Sequence, residues 1–229
     1  MLKKWVLFLM GSFFSAALLA ADIPTIHIST EDTAPYSFKG ADGKIQGVSV
    51  DLLKLIFSKA KVNYTLTIDS WVHTYESALN ITYHGAISTA ETPERKSLFK
   101  WVGPLVTMQW VLLAKKGRYL SIDTLNDAKK YMIGGYRDDA ITDYLKSKGF
   151  KNIRISENNS DNVSLLENEE IDIWATPEDI GYLQAKNLGV NDFKTVYYIK
   201  SIDYSLALNK SIPDEIVKQL SNALAEIRK

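Results

Sequence analysis

Two rhythms of apolar residues take turns along this chain. Residues 25–29 read as a short strand, and in 64–68 Tyr64, Leu66 and Ile68 alternate with Thr65 and Thr67, as in a half-buried strand. Between them, apolar residues at 48, 52, 53, 56 and 60 trace one face of a helix over 48–60. Ala41-Asp42-Gly43-Lys44 signals a turn between Phe38 and Ile45, which predicts a small hairpin. A helix through 75–79 and a strand at 86–87 follow. Thr92-Pro93-Glu94-Arg95 then has the form of a helix start, with Thr as N-cap and Pro at the first helical position. An apolar strand at 109–114 leads into a run of βα units: strands at 132–134, 153–155 and 171–175, helices at 139–148, 161–168 and 177–186. Two more strands, 195–199 and 205–208, precede an amphipathic helix over 213–228. Strands that alternate with helices predict an α/β fold rather than a sandwich or a bundle. With no repeat, low-complexity stretch or Gly/Ser tether, two lobes would be joined by ordered strands.

The first segment follows neither rhythm. Met1-Leu2-Lys3-Lys4 is basic, the run from Trp5 to Leu19 is uncharged and largely apolar, and Ala20-Ala21 closes it with small residues. That is the layout of a secretory signal peptide over 1–21; a permanent anchor would need a longer apolar run. The 27 basic residues balance the 27 acidic ones. Removing Lys3 and Lys4 leaves the mature chain two charges on the acidic side, with no basic footprint for nucleic acid. The chain has no cysteine, which excludes thiol nucleophiles, zinc–thiolate sites, iron–sulfur clusters and a lipid-modified N-terminal Cys. His27, His73 and His84 lack metal-ligand spacing. No phosphate loop, G-x-S-x-G or H-E-x-x-H occurs, so no cofactor is called for.

Several blocks carry a resemblance. They are Glu31-Asp32-Thr33-Ala34-Pro35-Tyr36-Ser37-Phe38, Asp42-Gly43-Lys44-Ile45-Gln46-Gly47 leading into Val50-Asp51-Leu52-Leu53, and Thr92-Pro93-Glu94-Arg95. Phe99-Lys100-Trp101-Val102-Gly103-Pro104 and Ala207-Leu208-Asn209-Lys210 complete them. In this order they resemble the bacterial extracellular solute-binding proteins of family 3, type II periplasmic binding proteins whose best-known members take polar amino acids. The resemblance implies two α/β lobes joined by two crossover strands, with a ligand cleft that shuts by hinge closure. The first lobe would take residues 22–109 and 200–229, and the second 110–199. It further implies a monomeric periplasmic protein that delivers a small polar solute to an ABC permease. A membrane sensor as partner, or a dehydratase-like enzyme on the same scaffold with Glu178, Asp138 or Asp139 as its cleft acid, are the alternatives.

Candidate ligand-binding residues follow from both lines. Arg95, in the first turn of the helix begun by Thr92, can offer a two-pronged guanidinium to a carboxylate. The resemblance assigns it the ligand's α-carboxylate; the plainer use is an ion pair with Glu91 or Glu94. Ser88, at the preceding strand end, can donate a hydroxyl. Tyr36 and Trp71 are placed like the family's aromatic walls. Two departures stand out: Ala90 replaces a common hydroxyl, and Pro177 stands where an acid would hold the ligand's ammonium. Glu178 is the adjacent substitute, so a standard α-amino acid is not the expected ligand. Arg137 and Asp138, in the loop after the strand at 132–134, offer one charge of each sign, while Asp139 reads as an N-cap. Trp101, Trp110 and Trp174 read as core or crossover residues.

Overall fold

The computed structural model describes residues 24–229, and the segment read as an export signal lies outside the described residues. Strand β1 (Ile26–Thr30) is followed by the hairpin β2 (Phe38–Lys39) and β3 (Ile45–Gln46), helix α1 (Val48–Ala60), strand β4 (Tyr64–Ile68), helix α2 (Trp71–Asn80) and strand β5 (His84–Ala90). One helical turn, α3 (Pro93–Lys96), leads into the long strand β6 (Lys100–Lys115). A 3-10 turn at Leu125–Lys130, closed by a capping box between Thr124 and Asp127, precedes β7 (Ile133–Tyr136). Then come α4 (Ala140–Ser147), β8 (Ile153–Ser156), α5 (Asp161–Glu167), β9 (Ile173–Pro177), α6 (Glu178–Asn187), the long strand β10 (Phe193–Leu208) and α7 (Asp214–Ile227).

The strands are hydrogen-bonded in the order β4-β1-β5-β10-β6-β9-β7-β8. At each end the sheet is parallel: β4, β1 and β5 on one side, β9, β7 and β8 on the other. In the middle, β10 runs antiparallel to both β5 and β6, and β6 antiparallel to β9. These two 16-residue strands are the crossovers that link two α/β halves. The boundary expected at 109/110 and 199/200 falls where Gln109 pairs with Ser201 and Trp110 with Lys200.

Each half has its own apolar core. In the first, Ile26 and Ile28 of β1 meet Leu53, Ile56 and Phe57 of α1 and Leu220 and Leu224 of α7. In the second, Ile133 of β7, Ile141 and Leu145 of α4 and Phe150 pack with Trp110 and Leu112 of β6. Val111 and Leu113 point to the opposite face of β6, against Trp174, Leu166 and Phe193. A strand covered on both faces buries successive residues, which is why 110–114 is apolar without alternation.

The structure corrects three details of the sequence reading. Helix α1 begins and ends where expected but is rotated: Ser49, Val50, Leu53, Ile56 and Phe57 are buried, and Val48 is 53% exposed. The N–H groups of Ser49 and Val50 donate to the carbonyl of Tyr36 and pin the first turn under the preceding loop. The segments expected at 195–199 and 205–208 are one strand, because register shifts between Tyr198 and Lys200 and between Tyr204 and Leu206 break the alternation. Pro177 is the N-cap of α6 rather than its first residue, since β9 runs into it with extended backbone.

Candidate functional site

The strand ends of the two halves face each other, and four hydrogen bonds join the lobes there. Tyr36 donates its hydroxyl to Asp179 at the start of α6. Trp71, the first residue of α2, donates its indole N–H to the carbonyl of Asp138 at 2.8 Å. Arg95 donates through Nη2 to that same carbonyl at 2.6 Å. Tyr136, at the end of β7, donates to Oε1 of Glu31 at 3.3 Å. Asp138 has a left-handed backbone (φ 56°), which turns its carbonyl into the cleft to meet both donors.

Arg95 is the best-held of these groups. It is 5% exposed, its guanidinium lies 4.7 Å from the Tyr75 ring centre and 5.7 Å from that of Trp71, and Asp143 approaches it at 4.0 Å. The two rings beside it add cation–π attraction, while Nη2 remains a donor into the cleft. The helix that carries it is a single turn, and Thr92 makes no side-chain capping bond there. Its power to hold an anion is therefore its own charge, not a helix terminus.

Behind Arg95 both lobes line a small recess of about 20 Å³, room for one water. The first lobe supplies Glu31, Trp71, Ser88, Ala90 and Arg95, the second Tyr136, Asp139 and Ala140, and β10 supplies Tyr204. Ser88 has a left-handed backbone (φ 57°), and its Oγ is buried without a hydrogen-bond partner. A strained residue with an orphan hydroxyl on a cavity wall has the form of a ligand contact.

The electrostatics of the cavity are dominated by two acids. Burial, with help from nearby Asp139, pushes the Glu31 carboxyl up to about 7. Burial also pushes the Asp139 carboxyl up to about 6, against hydrogen bonds from Thr142 and the pull of Arg95. Tyr136 and Tyr204 are driven well above their usual range by burial and by these acids. Through Glu31 and Trp71 the cavity meets a wider opening of about 290 Å³, bordered also by Asp32 and Asp69 and by no basic residue. Among the described residues no group of three or more His, Asp or Glu is arranged to hold a metal ion.

Of the residues singled out in the sequence, Tyr36, Trp71, Ser88, Arg95 and Asp138 are brought together at the cleft. Arg137 and Glu178 are not. Arg137 points outward and pairs with Glu157 at 2.7 Å. Glu178 accepts a bond from Thr195 at 2.6 Å, beside the crossover strands. Glu31, Tyr136 and Tyr204 were not singled out, and Asp139 was read as a cap and, for the enzyme alternative, as one possible cleft acid. It is that cap, accepting from the Thr142 N–H at 2.8 Å, and it also faces the cavity. One signal for Glu31 was available: it directly follows the C-terminal end of a parallel strand, where α/β sheets bind ligands.

The sequence pattern of the bacterial extracellular solute-binding proteins, family 3, matches residues 26–229. The chain belongs to this family. Solved structures give the same architecture for the family 3 chain. An ancestral arginine-binding protein bound to arginine is 22% identical, with a TM-score of 0.78 over 89% of this chain and 92% of that one. Holo ArgBP from T. maritima is 17% identical, with a TM-score of 0.77 over 90% and 91%. A histidine kinase sensor domain with similarity to periplasmic binding proteins is 18% identical, with a TM-score of 0.82 over 89% and 90%. At these identities the likeness establishes a type II periplasmic-binding-protein fold for the family 3 chain. Two of these relatives are arginine-binding proteins, and the third is a sensor domain. Among the described residues, no helix is long and apolar enough to cross a membrane.

Proposed function

We propose that this protein works in the periplasm after removal of its signal peptide. It captures a small, polar, carboxylate-bearing solute between its lobes by hinge closure and presents it to an ABC importer. The observation that carries this reading is Arg95, a buried guanidinium resting against the paired rings of Trp71 and Tyr75 at the seam of the two lobes. In this structure its free edge meets the Asp138 carbonyl, an oxygen acceptor that a ligand carboxylate would replace with a stronger, charge-assisted pair. Ser88 supplies a further hydroxyl, and Tyr36 and Trp71 are walls that also draw the lobes together. The sensor and arginine-binding relatives support small-molecule capture as the common use of the fold.

The test is a thermal-shift screen of the purified protein against carboxylates, amines, amino acids and oligopeptides, which should yield one strong stabiliser. Arg95→Ala should abolish that stabilisation while the protein alone still folds. An unchanged ligand shift in Arg95→Ala would overturn the assignment.

A second reading has one specific observation behind it. A carboxyl that keeps a proton to about 7, as at Glu31, is what a general acid for dehydration requires. Conversion of the stabilising ligand into product over hours would favour this enzymatic reading over capture alone.

A further inference from the structure

Two histidines far apart in the sequence are neighbours on the sheet of the first lobe. His27 of β1 and His84 of β5 are register partners on adjacent parallel strands. Ile26 and Ile28 face α1 and α7, so the alternation of β1 puts His27 on the opposite face of the sheet. His84 shares that face with Ala86, which clusters with Ala78 of α2. The two rings lie 5.1 Å apart, centre to centre, and are tilted by 36°. His27 is exposed and His84 partly exposed, so solvent reaches the pair. The solute site makes no use of them. They stand at the starts of their strands, while the cleft lies at the strand ends, about 20 Å away along β5.

Each ring has one nitrogen already engaged. Nδ1 of His84 lies 3.0 Å from the carbonyl of Thr82, which can only accept. In the neutral ring Nδ1 therefore carries the proton, and Nε2 keeps its lone pair. Nδ1 of His27 lies 2.9 Å from Oγ1 of Thr65, its register partner on β4. A bond donated from Nδ1 to that hydroxyl leaves Nε2 of His27 with a lone pair too, on the side of the ring turned away from β4 and toward β5. A histidine that ligates a metal is held in this way: one nitrogen donates to a fixed acceptor, and the other presents an oriented lone pair.

We propose that His27 and His84 together bind one divalent transition-metal ion through their Nε2 atoms, linking β1 to β5, with water in the remaining positions. Ring centres 5.1 Å apart let the two Nε2 atoms approach to about 3 Å, the spacing of two ligands that each stand about 2.0–2.1 Å from one ion. Imidazole nitrogen suits copper, nickel and zinc, whereas magnesium and calcium take oxygen ligands. Two protein ligands make the ion exchangeable. The site joins neighbouring strands within one lobe, so occupancy stabilises the folded first lobe and leaves hinge closure unchanged.

The test is calorimetry of the purified, untagged protein with the chlorides of Cu(II), Zn(II) and Mg(II), in a buffer that does not coordinate metals. One Cu(II) ion per chain should bind, more tightly than Zn(II), and Mg(II) should not bind. His27→Asn and His84→Asn should each weaken Cu(II) binding by about tenfold or more. His73→Asn, on α2 beside Asp69, should leave it unchanged. Far-UV circular dichroism checks that each variant folds. Electron paramagnetic resonance of the copper-loaded wild type should show coupling to two imidazole nitrogens, and to one in either variant. Absence of Cu(II) binding, affinity unchanged in both His27→Asn and His84→Asn, loss of binding in His73→Asn, or a wild-type spectrum without two imidazole nitrogens would overturn the proposal.

Discussion

Asn159 ties the rim of the cleft to the core of the second lobe, and its removal has a cost that follows from the structure. Its Oδ1 accepts the indole N–H of Trp174 at 2.9 Å, and its Nδ2 donates to Oγ1 of Thr176 at 3.1 Å. Trp174 and Thr176 are both 0% exposed, and Asn159 is 6% exposed. Asn159→Ala strands the indole N–H where water does not reach, at about 1–3 kcal/mol, and removes a second hydrogen bond worth about 1 kcal/mol. The Thr176 hydroxyl can turn elsewhere, so the expected sum is about 2–4 kcal/mol out of a total stability of about 5–15. With a urea slope of about 2 kcal/mol/M, the unfolding midpoint should fall by about 1–2 M at constant slope. Trp174→Phe should cost a similar amount, and the double variant less than the sum, because both changes delete the same bond. A loss below about 0.5 kcal/mol for Asn159→Ala, the level of an ordinary surface position, would refute the reasoning.

Two further outcomes are expected. Tyr36→Phe deletes only the hydroxyl that reaches across to Asp179; a bond to a carboxylate is worth about 1.5–3 kcal/mol, so the closed-to-open ratio, read from the distance between one spin label on each lobe, should drop about tenfold or more. A ratio equal to wild type would remove that bond from the closure energetics. Gly135→Ala would place a methyl against Oγ1 of Thr142, the hydroxyl that accepts from Tyr136 N and donates to Asp139. It should destabilise the protein by about 1–3 kcal/mol in urea unfolding, and a neutral result would show that α4 can retreat from β7.

Most of the scaffold was legible because its segments are either one-faced or fully apolar. The bounds of α1 came directly from its periodicity, but its rotation did not, since the backbone bonds from Ser49 and Val50 to Tyr36 leave no mark in composition. The middle of β10 was hidden for the opposite reason: its bulges interrupt the alternation of a continuous strand. At the cleft, Arg95 and Trp71 were legible through motif order and residue type. Asp139 was legible as a cap and as a possible cleft acid; Glu31 was not, because an acid at a strand end reads like any surface acid until two distant strand ends are brought together. Arg137 looks as available as Asp138 in sequence. The left-handed turn at Asp138 sends one carbonyl inward and its neighbour's guanidinium out to Glu157.

The second lobe leaves the first along β6 and returns along β10, and those two strands are hydrogen-bonded partners at the point of departure, Gln109 beside Ser201 and Trp110 beside Lys200. Its two attachment points are thus adjacent rungs of one ladder. A segment inserted between neighbours asks nothing new of its host, which already holds the two ends together. In terms of descent, the ninety or so residues beyond those rungs form a cassette: one pair of cuts exchanges Asp138, Asp139 and Tyr136 as a block, while Arg95 and Glu31 stay with the host. Ligand preference in such a molecule can be inherited by halves.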